Sequence, residues 1–259
     1  MVLGVSYRGQ AYQGWQSQPG GNTVQDQLEQ ALARFAAAPQ MRTVCAGRTD
    51  AGVHALNQVV HLDTAIERAE ASWVRGTNRF LPPEIAVQWC KLTDDSFHAR
   101  FSAIGRRYVY VLLESRVRPA VESGAVGWSA RALDADAMHD ASRVLLGEHD
   151  FSAFRSSECQ APTPVKTIRH IAITRRGAYW RFEFDANAFL HHMVRNLLGS
   201  LLAVGTGARD AAWLAEVLAS KDRARAAPTF PADGLYFSGP YYDPVHAIPS
   251  HTAAMDWLP

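Results

Sequence analysis

The chain has 259 residues, of which 47% are hydrophobic and 20% charged, and its formal net charge is +1 at pH 7. This composition excludes a disordered chain, and so small a net charge neither requires nor excludes a nucleic-acid partner. Three cysteines without a Cys-x-x-Cys pair predict reduced thiols in the cytoplasm. The N-terminus does not have the pattern of a signal peptide, and no apolar run reaches the about 18 residues of a membrane span.

The first half of the chain alternates strands and helices. Residues 22–37 have apolar residues on one helical face, and Asn22 or Thr23 can cap the helix. A shorter helix over 72–82 ends at a pair of prolines. Strands are predicted at 2–9, 41–47, 57–63 and 85–92.

In the second half, residues 106–113 alternate strictly, which places Arg106, Tyr108 and Tyr110 on one face of a strand. A helix over 134–147 has Asp134 as its cap. A hairpin joins 167–174 to 179–185. Helices are predicted at 187–205 and 211–219.

The order of these elements is irregular, without repeated strand–helix–strand units. This pattern favours an α+β fold, in which helices lie on one side of a mostly antiparallel sheet.

The segment CAGRTDAGVHA, residues 45–55, predicts a tight turn after a strand, because glycines bracket Arg48, Thr49 and Asp50. A carboxylate beside a guanidinium group stays ionised, so Asp50 can serve as a nucleophile or a base. An Arg–Asp pair that only holds the turn is the alternative. Asp50 and His54, four residues apart, are also compatible with half of a metal site.

Two arginines precede the aromatic residues of the predicted strand 106–113. Tyr108 and Tyr110, with Arg106 and Arg107, suit stacking on exposed bases and contact with phosphates. An ordinary strand with one aromatic face in the core is the alternative.

The predicted helix 187–205 has an apolar stripe and a second face with His191, Arg195 and Gly199 at spacings of four. Arg195 is therefore expected to face a cleft, and Gly199 to permit a close approach of another segment. Histidines satisfied by their neighbours are favoured over metal binding at His191 and His192. The segment GTGA, residues 205–208, follows a helix and is interpreted as a helix stop.

Together these segments resemble the TruA family of tRNA pseudouridine synthases. The resemblance rests on motifs that occur in the family's order across residues 2–240, namely GWQSQPGGNTVQDQLEQAL, AGRTDAGVHALNQVVH, FHARFSAIGRRYVYVLL, FLHHMVRNLLG and GLYF. It implies that Asp50 is the catalytic carboxylate, that Tyr108 is the active-site tyrosine and that Arg195 lies in the cleft.

The resemblance also implies the architecture. Two RRM-like lobes, residues 1–105 and 106–259, form one mainly antiparallel sheet with a basic cleft, and the protein works as a homodimer without metal or organic cofactor. Three departures are visible: Tyr7-Arg8-Gly9 stands where the family has Tyr-Asp-Gly, only Met1 precedes Val2 where the family has a basic residue, and after Tyr236 the usual final strand is replaced by a segment that contains Pro240.

The implied reaction converts uridine to pseudouridine in the anticodon stem-loop of tRNA, around positions 38 to 40. Arg48 and Arg195 would hold Asp50, while Arg106, Arg107 and His54 would contact RNA. Two other classes stay open: a non-catalytic RNA-binding module, and a metal-dependent hydrolase that uses Asp50 with histidines 54, 191 and 192.

Overall fold

The computed structural model describes residues 1–249. Within that range the chain has ten β-strands and five α-helices. The strands are β1 Val2–Tyr7, β2 Val44–Cys45, β3 His54–His61, β4 Ile85–Lys91, β5 Ala103–Glu114, β6 Gly127–Ser129, β7 Gly147–Asp150, β8 Val165–Arg176, β9 Tyr179–Ala186 and β10 Leu235–Tyr242. The helices are α1 Val24–Ala36, α2 Glu70–Asn78, α3 Ala135–Ser142, α4 Met193–Gly205 and α5 Ala211–Ser220.

The chain divides into two compact units. Unit 1 contains Met1–Gly105 and residues 236–249, and unit 2 contains Arg106–Leu235. The two-lobe prediction, 1–105 and 106–259, therefore differs at the C-terminal end. Residues 236–249 join unit 1 because Tyr236 and Phe237 of β10 pair with β3. The rest of the tail, 250–259, lies outside the described residues.

Unit 1 has strands in the order β4-β1-β3-β10, with β2 also paired to β3. The contacts of β1 with β3 and β4 are antiparallel, whereas β10 runs parallel to β3. Helix α1 begins where the Thr23 side chain accepts the Asp26 amide, as predicted from the sequence. Its apolar face, with Leu28 and Leu32 fully buried, supplies part of the core of this unit.

Unit 2 has strands in the order β5-β9-β8-β7, all antiparallel, with β6 parallel to β5. Trp180, Phe182 and Phe184 alternate along β9 and are almost fully buried, so one face of the strand forms the core. The Asp134 side chain caps α3 by accepting the Ala137 amide. The predicted α+β class with mainly antiparallel strands is confirmed.

Several elements differ from the sequence prediction. Strand β3 begins at His54 instead of residue 57, and α4 begins at Met193 instead of residue 187. The segment after Tyr236 does form a strand despite Pro240. Its pairs with β3 are at Tyr236 and Phe237, so the missing amide of the proline removes no hydrogen bond from that pairing. Among the described residues, no helix is long and apolar enough to cross a membrane.

Candidate active site

Asp50 lies in the turn between β2 and β3, as the glycine pattern predicts. The Val53 amide donates to the Asp50 carbonyl at 3.2 Å, and Gly52 has a φ of +81°. Glycine adopts this left-handed conformation without the steric cost that a Cβ atom brings. The Asp50 side chain is half-buried.

A second backbone segment holds this turn from the opposite side. The Trp15 amide donates to the Thr49 carbonyl at 3.0 Å, and the Gly52 amide donates to the Tyr12 carbonyl at 3.3 Å. Between them, Gly14 approaches so closely that a Cβ atom there would lie 2.6 Å from the Thr49 oxygen. Two hydrogen bonds and one close backbone contact therefore fix the peptides on both sides of Asp50.

The side chain of Thr49 anchors the same turn to the sheet. Its Oγ1 lies 2.8 Å from the Tyr7 hydroxyl oxygen of β1, and both residues are buried. Burial raises the pKa of Tyr7, so its hydroxyl stays protonated and able to hydrogen-bond. Thr49 is therefore turned toward the interior of unit 1, between Arg48 and Asp50.

Arg48 does not make the ion pair with Asp50 that the sequence suggests. Its side chain is exposed, and within residues 1–249 no ion pair joins Arg48 to Asp50. The reason is local: Thr49 is anchored to Tyr7 between them, and Arg48 extends toward solvent. A solvent-exposed guanidinium group has the chemistry to bind a phosphate.

His54 lies in the interior of unit 1, although we predicted contact with RNA. It is 1% exposed, and its Nδ1 accepts the Gly9 amide at 3.1 Å. The imidazole ring stacks on Tyr236 of β10, with ring centroids 4.7 Å apart. Burial raises the pKa of that tyrosine to about 12. His54 therefore connects β3 to the segment that follows β1 and to β10.

The two tyrosines of β5 have different environments in unit 2. Tyr110 is fully buried, and its hydroxyl donates to the Pro231 carbonyl at 3.2 Å. Tyr108 is only half-buried, and its ring meets the edge of Phe189 at a centroid distance of 5.1 Å. Tyr110 thus belongs to the core, whereas Tyr108 keeps an accessible surface.

The two arginines before Tyr108 are engaged within unit 2. Arg106 donates to the Asn187 carbonyl at 3.0 Å. Arg107 donates to the carboxylate of Asp185 at 2.9 Å, and Asp185 also lies 3.7 Å from Arg169. These contacts fix the strand end and offset part of the positive charge predicted to bind RNA.

Arg195 lies in the first turn of α4, and the structure explains the glycine one turn later. Its Nε donates to the Phe230 carbonyl at 2.8 Å, and the Phe230 amide donates back to the Arg195 carbonyl. A Cβ atom at Gly199 would lie 2.4 Å from the Pro228 oxygen, which confirms the predicted close approach. His191 precedes the helix, so the prediction that it shares a helical face with Arg195 is wrong.

A buried polar network holds the same segment and was missed from the sequence. Asn196 is fully buried; its amide nitrogen donates to the Phe154 carbonyl, and its oxygen accepts from Arg223 and Thr229. Ser200 accepts the Ala227 amide. The available signal was two polar residues, Asn196 and Ser200, four apart among the apolar residues of α4.

Comparison with known proteins gives consistent matches. A family model described as tRNA pseudouridine synthase matches residues 4–102 and 141–243. The tRNA pseudouridine synthase A of Methylibium petroleiphilum is 70% identical over 259 residues, covering 100% of this chain and 99% of the relative. That of Paracidovorax citrulli is 60% identical over 277 residues, with the same coverage.

Solved structures also match this chain, at low sequence identity. A chain in the crystal structure of a Cbf5-Nop10-Gar1 complex matches with 12% identity and a TM-score of 0.36. The match covers 78% of the present chain and 45% of the other.

Replacing Gly14 by alanine should disrupt the turn that carries Asp50. The variant combines a left-handed φ of +87° with a Cβ atom 2.6 Å from the Thr49 oxygen. Gly21→Ala is the matched control, since Gly21 has a φ of +66° with no atom within 4 Å. We expect the control to lose about 1 kcal/mol of unfolding free energy and Gly14→Ala to lose at least about 2 kcal/mol more. Urea denaturation measures both unfolding free energies, and equal losses for the two variants would contradict the proposed backbone contact.

Proposed function

Since this chain belongs to the TruA family of tRNA pseudouridine synthases and is thus an isomerase, we propose that Asp50 is its catalytic carboxylate. The observation that carries this proposal is the fixed turn: backbone hydrogen bonds hold the peptides around Asp50, while its side chain stays half-buried. Such preorganisation lets a carboxylate act without first being ordered by the substrate.

The reaction breaks the N1–C1′ bond of uridine, turns the uracil and forms a C5–C1′ bond. The atoms of the product equal those of the substrate, and no electron is gained or lost. Three routes are open to Asp50: attack on C1′, attack on C6 of the uracil, or removal of the 2′ proton. Each needs an ionised carboxylate at the start.

The other residues are proposed to bind the substrate. Tyr108 offers a half-buried aromatic ring, braced by Phe189, on which the uracil can stack. Arg48 is exposed and suited to the phosphate backbone, and Arg195 is held by Phe230 at the start of α4. The target base must leave its stack, which costs a few kcal/mol, and arginine contacts with the RNA offset this cost.

We further propose that the target uridines lie in the anticodon stem-loop, around positions 38 to 40, and that the enzyme works in the cytoplasm on tRNA without a cofactor.

The family resemblance supports a homodimer. Light scattering of the purified protein should then give about twice the monomer mass of 28.5 kDa. A mass of one chain at micromolar concentration would contradict this part of the proposal.

Substitution of Asp50 tests the catalytic assignment. Asp50→Ala and Asp50→Asn should abolish pseudouridine formation on an unmodified tRNA transcript and leave the dissociation constant for tRNA within a few-fold. The reason is that phosphate contacts supply most of the affinity, whereas the carboxylate makes and breaks bonds. Asp63→Asn, which alters an exposed carboxylate of unit 1, should keep full activity. Measurable turnover by purified Asp50→Ala would sink the assignment.

Tyrosines 108 and 110 can be separated by removing their hydroxyl groups. Tyr108→Phe keeps the ring, so we expect tRNA affinity to change little and the rate to fall if the hydroxyl transfers a proton. Tyr108→Ala should also weaken binding by about 1–3 kcal/mol through lost stacking. Tyr110→Phe should cost stability of about 1 kcal/mol through the lost bond to Pro231, with a normal rate. An inactive Tyr110→Phe beside a normal Tyr108→Phe would show that the roles are reversed.

A further inference from the structure

A series of three contacting rings ends at the surface of unit 1, in the loop between β4 and β5; His61 and His98 are tilted, and His98 and Phe101 are stacked. The ring centroids of His61 and His98 are 4.5 Å apart, and those of His98 and Phe101 are 4.3 Å apart. The guanidinium carbon of Arg100 lies 5.6 Å from the centroid of the Phe101 ring. Phe101 is nevertheless 76% exposed, which is unusual for a phenylalanine in a well-ordered segment.

Hydrogen bonds hold this loop in one conformation. His98 Nδ1 accepts the amides of Arg100 and Phe101, and the His98 amide donates to the Ser102 hydroxyl. His61 Nδ1 accepts the Ala99 amide. Burial, together with the nearby His98, lowers the pKa of His61 and keeps that nitrogen available as an acceptor near neutral pH. The exposed ring is therefore displayed by a rigid support rather than by a loose loop.

Arg48 of the motif that carries Asp50 and Arg100 beside the Phe101 ring both act on the thiol of Cys45. Burial raises the pKa of the Cys45 thiol to about 12, and both Arg48 and Arg100 act in the opposite direction on that thiol. Both guanidinium groups are therefore within electrostatic range of the end of β2.

We propose that Phe101, supported by His98 and flanked by Arg100, forms a stacking platform for an unpaired base of the RNA substrate, distinct from the uridine that reacts. This inference rests on the proposed function in so far as the ligand is tRNA. The chemistry matches single-stranded recognition, in which an aromatic face takes a base and a neighbouring arginine neutralises its phosphate.

The observations favour RNA over a protein partner on this surface. The core of a protein interface buries several apolar side chains, whereas here a single exposed ring has a guanidinium group and an imidazole beside it. A single ring with a cation beside it is the size of a subsite for one nucleotide.

Binding of an unmodified tRNA transcript tests the platform. Phe101→Ala should raise the dissociation constant about tenfold, as expected when one base loses its aromatic partner, while Phe101→Tyr should stay within about twofold of the unaltered protein. Trp213→Ala is the matched control, because Arg209 also lies over that ring, at 5.5 Å, but Asp134, Asp210 and Glu216 line the same surface. We expect no change in tRNA affinity for the control.

Photo-crosslinking gives a second readout that does not depend on the stability of Phe101→Ala. Benzoylphenylalanine at position 101 should crosslink to tRNA under ultraviolet light, and the same group at position 213 should not. A crosslink from position 101 to a second copy of the chain, or unchanged affinity for Phe101→Ala, would overturn the proposal. If the unaltered protein does not form pseudouridine in tRNA, the proposed function is wrong. The affinity and the crosslink at position 101 test the platform separately, so the two failures are distinguishable.

Discussion

The contact between two stretches of backbone, residues 12–15 and 49–52, is the constraint on which the candidate site depends. Both stretches lack regular structure, and each would be mobile alone. Together they satisfy each other's amides and carbonyls, and Gly14 allows an approach that no other residue permits. The Tyr7 hydroxyl then connects this pair of loops to β1. The carboxylate of Asp50 is thus positioned by backbone contacts more than by the charged residue beside it.

In unit 2, buried polar side chains hold an irregular segment in place, as backbone contacts do in unit 1. The segment 223–230 has no long helix or strand, yet it is held against α4 by Asn196, Ser200 and the close approach at Gly199. Buried polar networks of this kind are costly unless every member is satisfied, and this one distributes its hydrogen bonds over both side chains and backbone. The network fixes the Phe230 carbonyl that accepts from Arg195. In both units, an irregular segment gains a defined position from a glycine and a few buried polar atoms.

The sequence predicts elements and motifs well where the pattern is local. Helix α1 with its Thr23 cap, the alternation of β9 and the turn around Asp50 follow from spacing and glycine placement. The environment of His54 does not, since its burial depends on Gly9 and Tyr236, which are distant in sequence. The geometry of Arg48 does not follow from the sequence either, although its expected partner, Asp50, is only two residues away. Residue types indicated a charged pair there, but the anchoring of Thr49 by Tyr7 decides the geometry.

The pairing of β10 with β3 has a consequence for the order in which the protein is made. His54 and Tyr236 face each other in this parallel pair, so unit 1 contains both the first and the last strands of the described chain. During synthesis from the N-terminus, residues 1–105 leave the ribosome with the edge of β3 at His54 and Ala55 unpaired and with His54 lacking its stacking partner. All of unit 2 must follow before that edge is covered. Non-local pairing of this kind slows folding and leaves the nascent strand open to wrong partners, so completion of the fold is coupled to completion of the chain.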